Sequence, residues 1–228
     1  RLKEDILDLP EKILTPVYLR LKSKQYEAMM GEYFEWYDNS EESSSLTVQF
    51  SKLMKVRQII AEEKVRNTIE IAQNIIEQGK KVIIFTNFTD TLNQIKTHFG
   101  KEAVTLDGRM SKPNRQHSVD EFQTNDKVKV FVGNLKAAGV GITLTAAEAV
   151  IMNDLSFVPS DHSQAEDRAY RYGQKSNVSV FYPIFENTIE GAIYDILSQK
   201  KNIFETVMGD NEDKGNIVEE ILNSITRR

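Results

Sequence analysis

Short apolar runs alternate with amphipathic segments through the middle of the chain. The run KVIIFTN (81–87) is continuous and β-branched, which is typical of a strand buried on both faces. Leu92, Ile95 and Phe99 follow at helical spacing, and Gly100 supplies a stop. Further strands are predicted at 103–108, 127–134, 147–154 and 177–185, with helices starting at Ser111 and spanning 164–171. This alternation predicts an α/β fold with a mostly parallel sheet and helices on both faces.

The two ends of the chain have mainly helical patterns. The segments are a candidate strand at 13–21, helices at 23–39, 46–79 (one or two), 188–209 and 216–226. We therefore expect three parts: a helical lead-in (1–62), an α/β lobe (63–187) and C-terminal helices (188–228). The aromatic cluster at 33–37 fits subdomain core better than base stacking, and its role stays open.

Charge is distributed unevenly. The 228 residues carry a net charge of −5, yet residues 52–136 hold 15 Lys and Arg against 10 Asp and Glu. Such a basic segment fits a phosphate-binding face, although a solvated mixed surface explains it equally well. The chain has no cysteine, which excludes disulfides and thiolate metal sites, and its three histidines are isolated in sequence.

The sequence contains no apolar run of the ~18–20 residues that a membrane span needs. Its first residues, RLKEDILDLP, lack the apolar core of a signal peptide. We expect an intracellular protein, cytoplasmic and nucleoid-associated if bacterial and nuclear if eukaryotic.

The stretch HSQAEDRAYRYGQ (162–174) places two arginines three residues apart. In a helix, Arg168 and Arg171 share one face, where two cations repel each other unless an anion lies between them. The candidate anions are the carboxylates of Glu166 and Asp167, or a phosphate.

The loop after the strand at 127–134 contains Gly139, Gly141, Thr143 and Thr145. Glycine permits close backbone approach, so this loop could follow a nucleic-acid strand, but a tight strand-to-helix turn explains it as well.

A basic loop follows the strand at 103–108. Gly108, Arg109, Lys112 and Arg115 could meet a phosphate backbone, or form a solvated helix start with salt bridges.

The spacing Gln164–x–x–x–Arg168–x–x–Arg171 resembles the last motif of superfamily-two helicase-like ATPases. The longer string QAEDRAYRYGQ resembles that of Swi/Snf-type DNA translocases. Four more pieces occur in the family's order, and the resemblance covers about residues 1–205. The strings are VIIFTNFTDTL, LDGRMSKPNRQHSVDEFQ, VFVGNLKAAGVGITLTAAEAVIMND and SFVPSDHSQ.

The chain departs from the family at a few positions. Leu135 and Thr143 stand where many members have threonine and asparagine, and residues 157–159 replace the usual Trp-Asn-Pro. The form GITLTAA is more similar to the annealing-helicase-like branch than to nucleosome remodellers.

The resemblance implies a three-layer RecA-like second lobe of a double-stranded-DNA translocase. The sequence holds no G-x-x-x-x-G-K-[ST] phosphate loop, so ATP and Mg²⁺ are expected mainly on the N-terminal RecA-like lobe of a longer protein. The implied catalytic residues are Arg168 and Arg171, with ATP contacts from Gln164, Asp167, Gly139 and Gly141. The implied DNA contacts are Thr86, Asn87, Gly108, Arg109, Lys136, Thr143 and Thr145.

Two alternatives remain at this level. A superfamily-two RNA helicase shares the spacing of the two arginines, and a catalytically inactive interaction module shares the fold.

Overall fold

The computed structural model describes residues 9–41, 45–138, 141–206 and 214–226. Within them lies a six-stranded sheet with the strand order β1-β6-β5-β2-β4-β3. Its strands are β1 (Lys12–Leu19), β2 (Val82–Thr86), β3 (Ala103–Leu106), β4 (Val130–Asn134), β5 (Ala149–Met152) and β6 (Val178–Phe185). The helices are α1 (Lys24–Asn39), α2 (Leu46–Glu77), α3 (Thr89–Phe99), α4 (Lys112–Thr124), α5 (Leu135–Ala138), α6 (Pro159–Glu166), α7 (Ile189–Thr206) and α8 (Lys214–Thr226).

Strand β2 is the centre of a parallel arrangement. It pairs in parallel with β4 on one side and β5 on the other, with Val82 opposite both Val130 and Ala149. The pairs β3–β4 and β5–β6 are parallel too. The carboxyl ends of these strands therefore meet at one edge of the sheet, which is where ligands bind in open α/β sheets.

The sheet is covered on both faces, as the buried apolar runs predict. One cluster joins alternate sheet residues such as Val82 and Ile84 to α2 and α3 side chains such as Ala72 and Ile95. Successive strand residues point to opposite faces. On the other face, Phe131 meets Phe122 of α4 edge-on, at 5.5 Å between ring centroids. The arrangement has three layers, as predicted.

Gly133 makes room within this second face. A Cβ on Gly133 would lie 3.1 Å from a ring carbon of Phe85, its partner across the strand pair. A larger residue would push against a ring that is fully buried.

The described chain divides into two units that interleave in sequence. The first holds residues 9–17, 64–156 and 160–183, and the second holds 18–63, 157–159 and 184–226. The division at residues 62 and 187 expected from the sequence stays a prediction. No helix of the described residues is both long and apolar enough to cross a membrane.

Most predicted elements are confirmed, but the helix predicted at 164–171 is wrong. Helix α6 begins at Pro159 and ends at Glu166, so both arginines lie on turns after it. The N–H groups of Arg168 and Ala169 bond to carbonyls three residues back, instead of continuing the i to i−4 ladder. Gly173, with φ of +98°, then turns the chain out of any helical path.

Candidate functional site

The two arginines of the motif reach the same loop, although they are not on a helix. Arg168 donates from Nη1 to the carbonyl of Ile142, and Arg171 donates from Nη1 to Oγ1 of Thr143, both at 3.3 Å. The backbone joins the two segments as well, because the N–H of Leu144 donates to the carbonyl of Arg168 at 2.8 Å. The structure thus brings residues 167–173, which we call the arginine turn, together with residues 142–144.

The electrostatic environment of Arg168 includes the positive charge of Arg171. Burial lowers the pKa of Arg168, and the neighbouring charge of Arg171 lowers it further, whereas Asp167 opposes both effects. Arg171 itself is exposed. An anion beside Arg168 and Arg171, in addition to Asp167, would relieve the repulsion between the two guanidiniums, so the geometry suits a ligand such as a phosphate.

Glu166, one of the two carboxylates considered as that anion, makes strong contacts elsewhere. Its side chain is fully buried and accepts hydrogen bonds from Tyr182 Oη at 2.6 Å and Lys12 Nζ at 2.8 Å. Burial is the largest single effect and acts to lower the pKa of Lys12, but the charge and hydrogen bond of Glu166, with Asp167 and Tyr170, together outweigh it and the pKa is raised. This ion pair joins the end of α6 to β1.

Gln174 binds both the arginine turn and the loop at residues 145–147. Its buried amide donates to the carbonyls of Ala169, Thr145 and Ala147. The predicted contact residue Thr145 also accepts from Gln123 at 3.3 Å through its hydroxyl, so the loop is held on two sides.

Asp154 organises the ends of β2 and β5. Its carboxylate accepts from the hydroxyl of Thr86 at 2.6 Å and from the backbone N–H of Asn87 at 2.9 Å. The side chain of Asn134 reaches the carbonyl of Asn87 at 3.1 Å. Thr86 is fully buried and Asn87 is half-buried, so the backbone and amide of Asn87 lie nearer the surface than the hydroxyl of Thr86.

The loop after β3 is largely bonded to itself. Arg109 pairs with Asp107 at 2.7 Å, and this hydrogen bond is the main reason why the pKa of Asp107 is lowered. Arg115 donates to the carbonyls of Met110 and Gly108 at 3.0 and 2.9 Å. Gly108 and the guanidinium of Arg109 remain exposed at the carboxyl edge of the sheet.

The remaining predicted contacts are spread along the same edge. Lys136 is exposed on α5, Gly141 is exposed with φ of +63°, and Gln164 is exposed on α6. Gly139 lies outside the described residues. Among the described residues, no group of three His, Asp or Glu side chains could hold a metal ion.

Sequence reasoning missed the residues that hold the site in place. Asp154, Glu166 and Gln174 are charged or polar, and only their burial marks them as structural supports. A buried polar side chain needs partners, but the sequence does not tell which side chains are buried. The pair Gly173-Gln174 was the only available signal, as part of the motif.

The chain is similar to proteins of one family in sequence. Residues 63–173 match the helicase conserved C-terminal domain. An uncharacterized ATP-dependent helicase of Mycoplasma pneumoniae is 33% identical over 221 residues, which are 89% of this chain and 21% of that protein. The Caenorhabditis elegans homolog of SWI/SNF-related matrix-associated actin-dependent regulator of chromatin subfamily A-like protein 1 is 33% identical, over 91% of this chain and 31% of that protein. The chain thus spans about a fifth to a third of the length of these relatives.

Solved structures of SWI2/SNF2 ATPases are similar to this chain as well. The SWI2/SNF2 ATPase core of Sulfolobus solfataricus in complex with double-stranded DNA superposes with a TM-score of 0.75 at 31% identity, covering 98% of this chain and 49% of that one. The C-terminal domain of the Sulfolobus solfataricus SWI2/SNF2 ATPase gives a TM-score of 0.70 at 27% identity, covering 95% of this chain and 99% of that one.

Proposed function

We propose that the protein carrying this chain couples ATP hydrolysis to movement along double-stranded DNA, because the chain is the second RecA-like lobe of a Swi/Snf-type superfamily-two ATPase. In this proposal the lobe supplies two arginines to the nucleotide and a set of backbone-directed contacts to DNA. Remodelling of DNA-bound complexes, their displacement and strand rewinding are all outcomes that such movement can drive.

The observation that carries the proposal is the convergence of Arg168 and Arg171 on residues 142–143. Two guanidiniums held against one loop, one of them with a pKa lowered by burial and by its neighbour's charge, form a binding site for an anion, and the triphosphate of ATP fits that donor set. ATP, when bound with Mg²⁺, supplies the phosphoryl group that is transferred to water. We place its main binding surface on the N-terminal lobe of the same protein, which carries the phosphate loop in this family.

Arg171 is the arginine finger in this scheme, and Arg168 is its partner. The exposed guanidinium of Arg171 can leave Thr143 and neutralise charge that develops on the transferred phosphoryl. Arg168 is held more firmly, by its burial and by Ile142, and fixes the position of the turn. Gln164 and Asp167 lie beside the pair in sequence, and we assign them to orientation of the nucleotide, with the glycine loop at 139–141.

The DNA contacts follow the carboxyl edge of the sheet. We assign them to Asn87, Gly108, Arg109, Lys136, Thr143 and Thr145, with the fully buried Thr86 supporting this edge through its bond to Asp154. Contacts of this kind bind the phosphates of DNA and do not depend on base sequence, as movement along DNA requires.

Replacement of Arg171 in the full-length protein tests the function. An arginine finger contributes about 10³–10⁵ in rate, so Arg171→Ala should abolish DNA-stimulated hydrolysis while the melting temperature of the lobe stays nearly unchanged. Arg171→Lys keeps the charge but loses the planar fork that grips two phosphate oxygens, so it should be almost as inactive. Steady-state ATP turnover with and without duplex DNA, beside thermal melting, measures both effects.

Two outcomes would contradict this assignment. One is an Arg171→Lys variant with near-normal turnover. The other is an Arg171→Ala variant whose activity falls only because the lobe has unfolded. Lys175→Ala, an exposed cation four residues further along the chain, serves as the matched control and should keep full turnover.

A further inference from the structure

The amide of Gln174 is bonded on every polar atom, and it is only 8% exposed. Its Nε2 donates to the carbonyl of Ala147 at 2.8 Å and to those of Thr145 and Ala169 at 3.2 Å. Its Oε1 accepts the backbone N–H groups of Lys175 at 2.8 Å and Ser176 at 3.0 Å. This donor and acceptor set fits an amide alone, because a carboxylate has no N–H to donate.

These bonds connect two segments that are far apart in sequence. Ala169 lies between the two arginines, whereas Thr145 and Ala147 belong to the loop that Arg168 and Arg171 touch at residues 142–143. After α6 ends at Glu166, backbone hydrogen bonds to α6 reach only as far as Tyr170, whose N–H donates to the carbonyl of Glu166, so Arg171 lies beyond them. The side chain of Gln174 therefore adds three hydrogen bonds between turn and loop or within the turn, beside the backbone bond from Leu144 to Arg168.

We infer that Gln174 is a positioning residue, which sets the place of Arg168 and Arg171 and couples them to the loop that carries Thr143 and Thr145. The inference rests on the proposed function and deepens it. In the proposed function the loop carries DNA contacts and the arginines contact the nucleotide, so Gln174 adds a side-chain connection between the two binding surfaces beside the direct bonds of Arg168 and Arg171. A loop displaced by DNA would pull on Ala169 through this amide.

The test is a kinetic comparison in the full-length protein. Gln174→Met keeps the volume of the side chain and removes all of its hydrogen bonds. A catalytic group displaced by about 1 Å can cost about 100-fold in rate, so we expect kcat for DNA-stimulated hydrolysis to fall by about that factor. The KM for ATP should stay unchanged, because the nucleotide is held mainly by the other lobe.

A double variant separates positioning from a loss of structure. If Gln174 acts only through the two arginines, Gln174→Met added to the double variant Arg168→Ala/Arg171→Ala should lower single-turnover hydrolysis no further than that double variant alone. Gln116→Met is the matched control, since Gln116 is an exposed glutamine on α4 whose side-chain amide donates to Asp120 in its own helix. It should leave kcat and KM unchanged.

A second variant guards against failure of the first to fold. Gln174→Glu keeps the size and the two accepted bonds but cannot donate while ionised, and it should show the same loss of kcat with recovery as the pH falls and the carboxyl group regains a donor. Normal kcat in either folded variant, or a rise in KM with kcat unchanged, would overturn the inference. If Arg171→Ala itself retains full turnover, the proposed function fails; if only the Gln174 variants do, the inference alone fails.

Discussion

The guanidinium of Arg109 pairs with Asp107 and is still exposed enough to contact DNA. It is 73% exposed, and its partner Asp107 is only 16% exposed, so the pair is anchored at its acidic end. An exposed ion pair contributes little to stability, and a DNA phosphate can therefore replace the carboxylate at small cost. Its place beyond β3, at the sheet edge, is what makes it a candidate for DNA contact.

Salt titration of DNA binding tests this candidate. Each phosphate contact contributes roughly −0.9 to the slope of log affinity against log salt concentration, so Arg109→Ala should make the slope shallower by about that amount. Asp107→Asn removes the competing charge and should tighten binding. Fluorescence anisotropy of a labelled duplex, measured on the 228-residue chain at several salt concentrations, provides the slopes.

The control is an arginine of similar exposure away from the sheet edge. Arg66 on α2 is 88% exposed and pairs with Glu70 one turn along, so Arg66→Ala should leave the slope unchanged. An Arg109→Ala slope equal to that of wild type, or binding that ignores salt altogether, would remove Arg109 from the DNA contacts.

Strand β1 and helix α6 are joined by a buried ion pair, which links the N-terminal part of the chain to the arginine turn. Glu166 is fully buried and Lys12 is about one-fifth exposed. Lys12→Met leaves a buried carboxylate with Tyr182 but without its cation, and loss of one partner of a buried pair costs about 3–5 kcal/mol. Urea unfolding at neutral pH measures this cost. Arg20→Met, which breaks an exposed pair with Glu186, should cost no more than about 1 kcal/mol.

The pH dependence of this pair has a definite sign. The pKa of Lys12 is raised above its ordinary value of 10.5, so the folded state holds this proton more tightly than the unfolded state does. The stabilisation is complete below pH 10.5 and is lost as the pH rises through the folded pKa. Wild-type stability should therefore fall more steeply above pH 10.5 than that of Lys12→Met; parallel curves would contradict the assignment.

The elements of the lobe were predictable wherever a local pattern determined them. The buried run at 82–86, the cap at Ser111 and the stop at Gly100 all act over a few residues, and each falls where expected. Helix α6 was misplaced because nothing local ends it: its charged and small residues tolerate a helix. The turn after Glu166 is held instead by bonds to a distant loop, from Gln174 to Thr145 and from Leu144 to Arg168.

In the candidate site, too, the residues that a local sequence pattern marks were predictable and the others were not. The arginines were identified through the spacing of the motif, but the positioning residues were not, because their role depends on burial. Asp154 illustrates this: in sequence it is one acid after a strand, and in the fold it joins β2 to β5 through Thr86 and Asn87.

At the scale of the whole molecule, our proposal divides the nucleotide site between two lobes, with the two arginines on this one. The sequence has no phosphate loop, and within the described residues no cluster of acids could bind Mg²⁺. We therefore expect the 228-residue chain alone to show no ATP hydrolysis above background, with or without DNA. The full-length protein should turn over ATP and respond to duplex DNA more than to RNA of equal length. Phosphate release measured on both proteins, with each nucleic acid, checks this. Robust DNA-stimulated turnover by the chain alone would disprove the division of labour between lobes, and stronger stimulation by RNA would favour a helicase that acts on RNA.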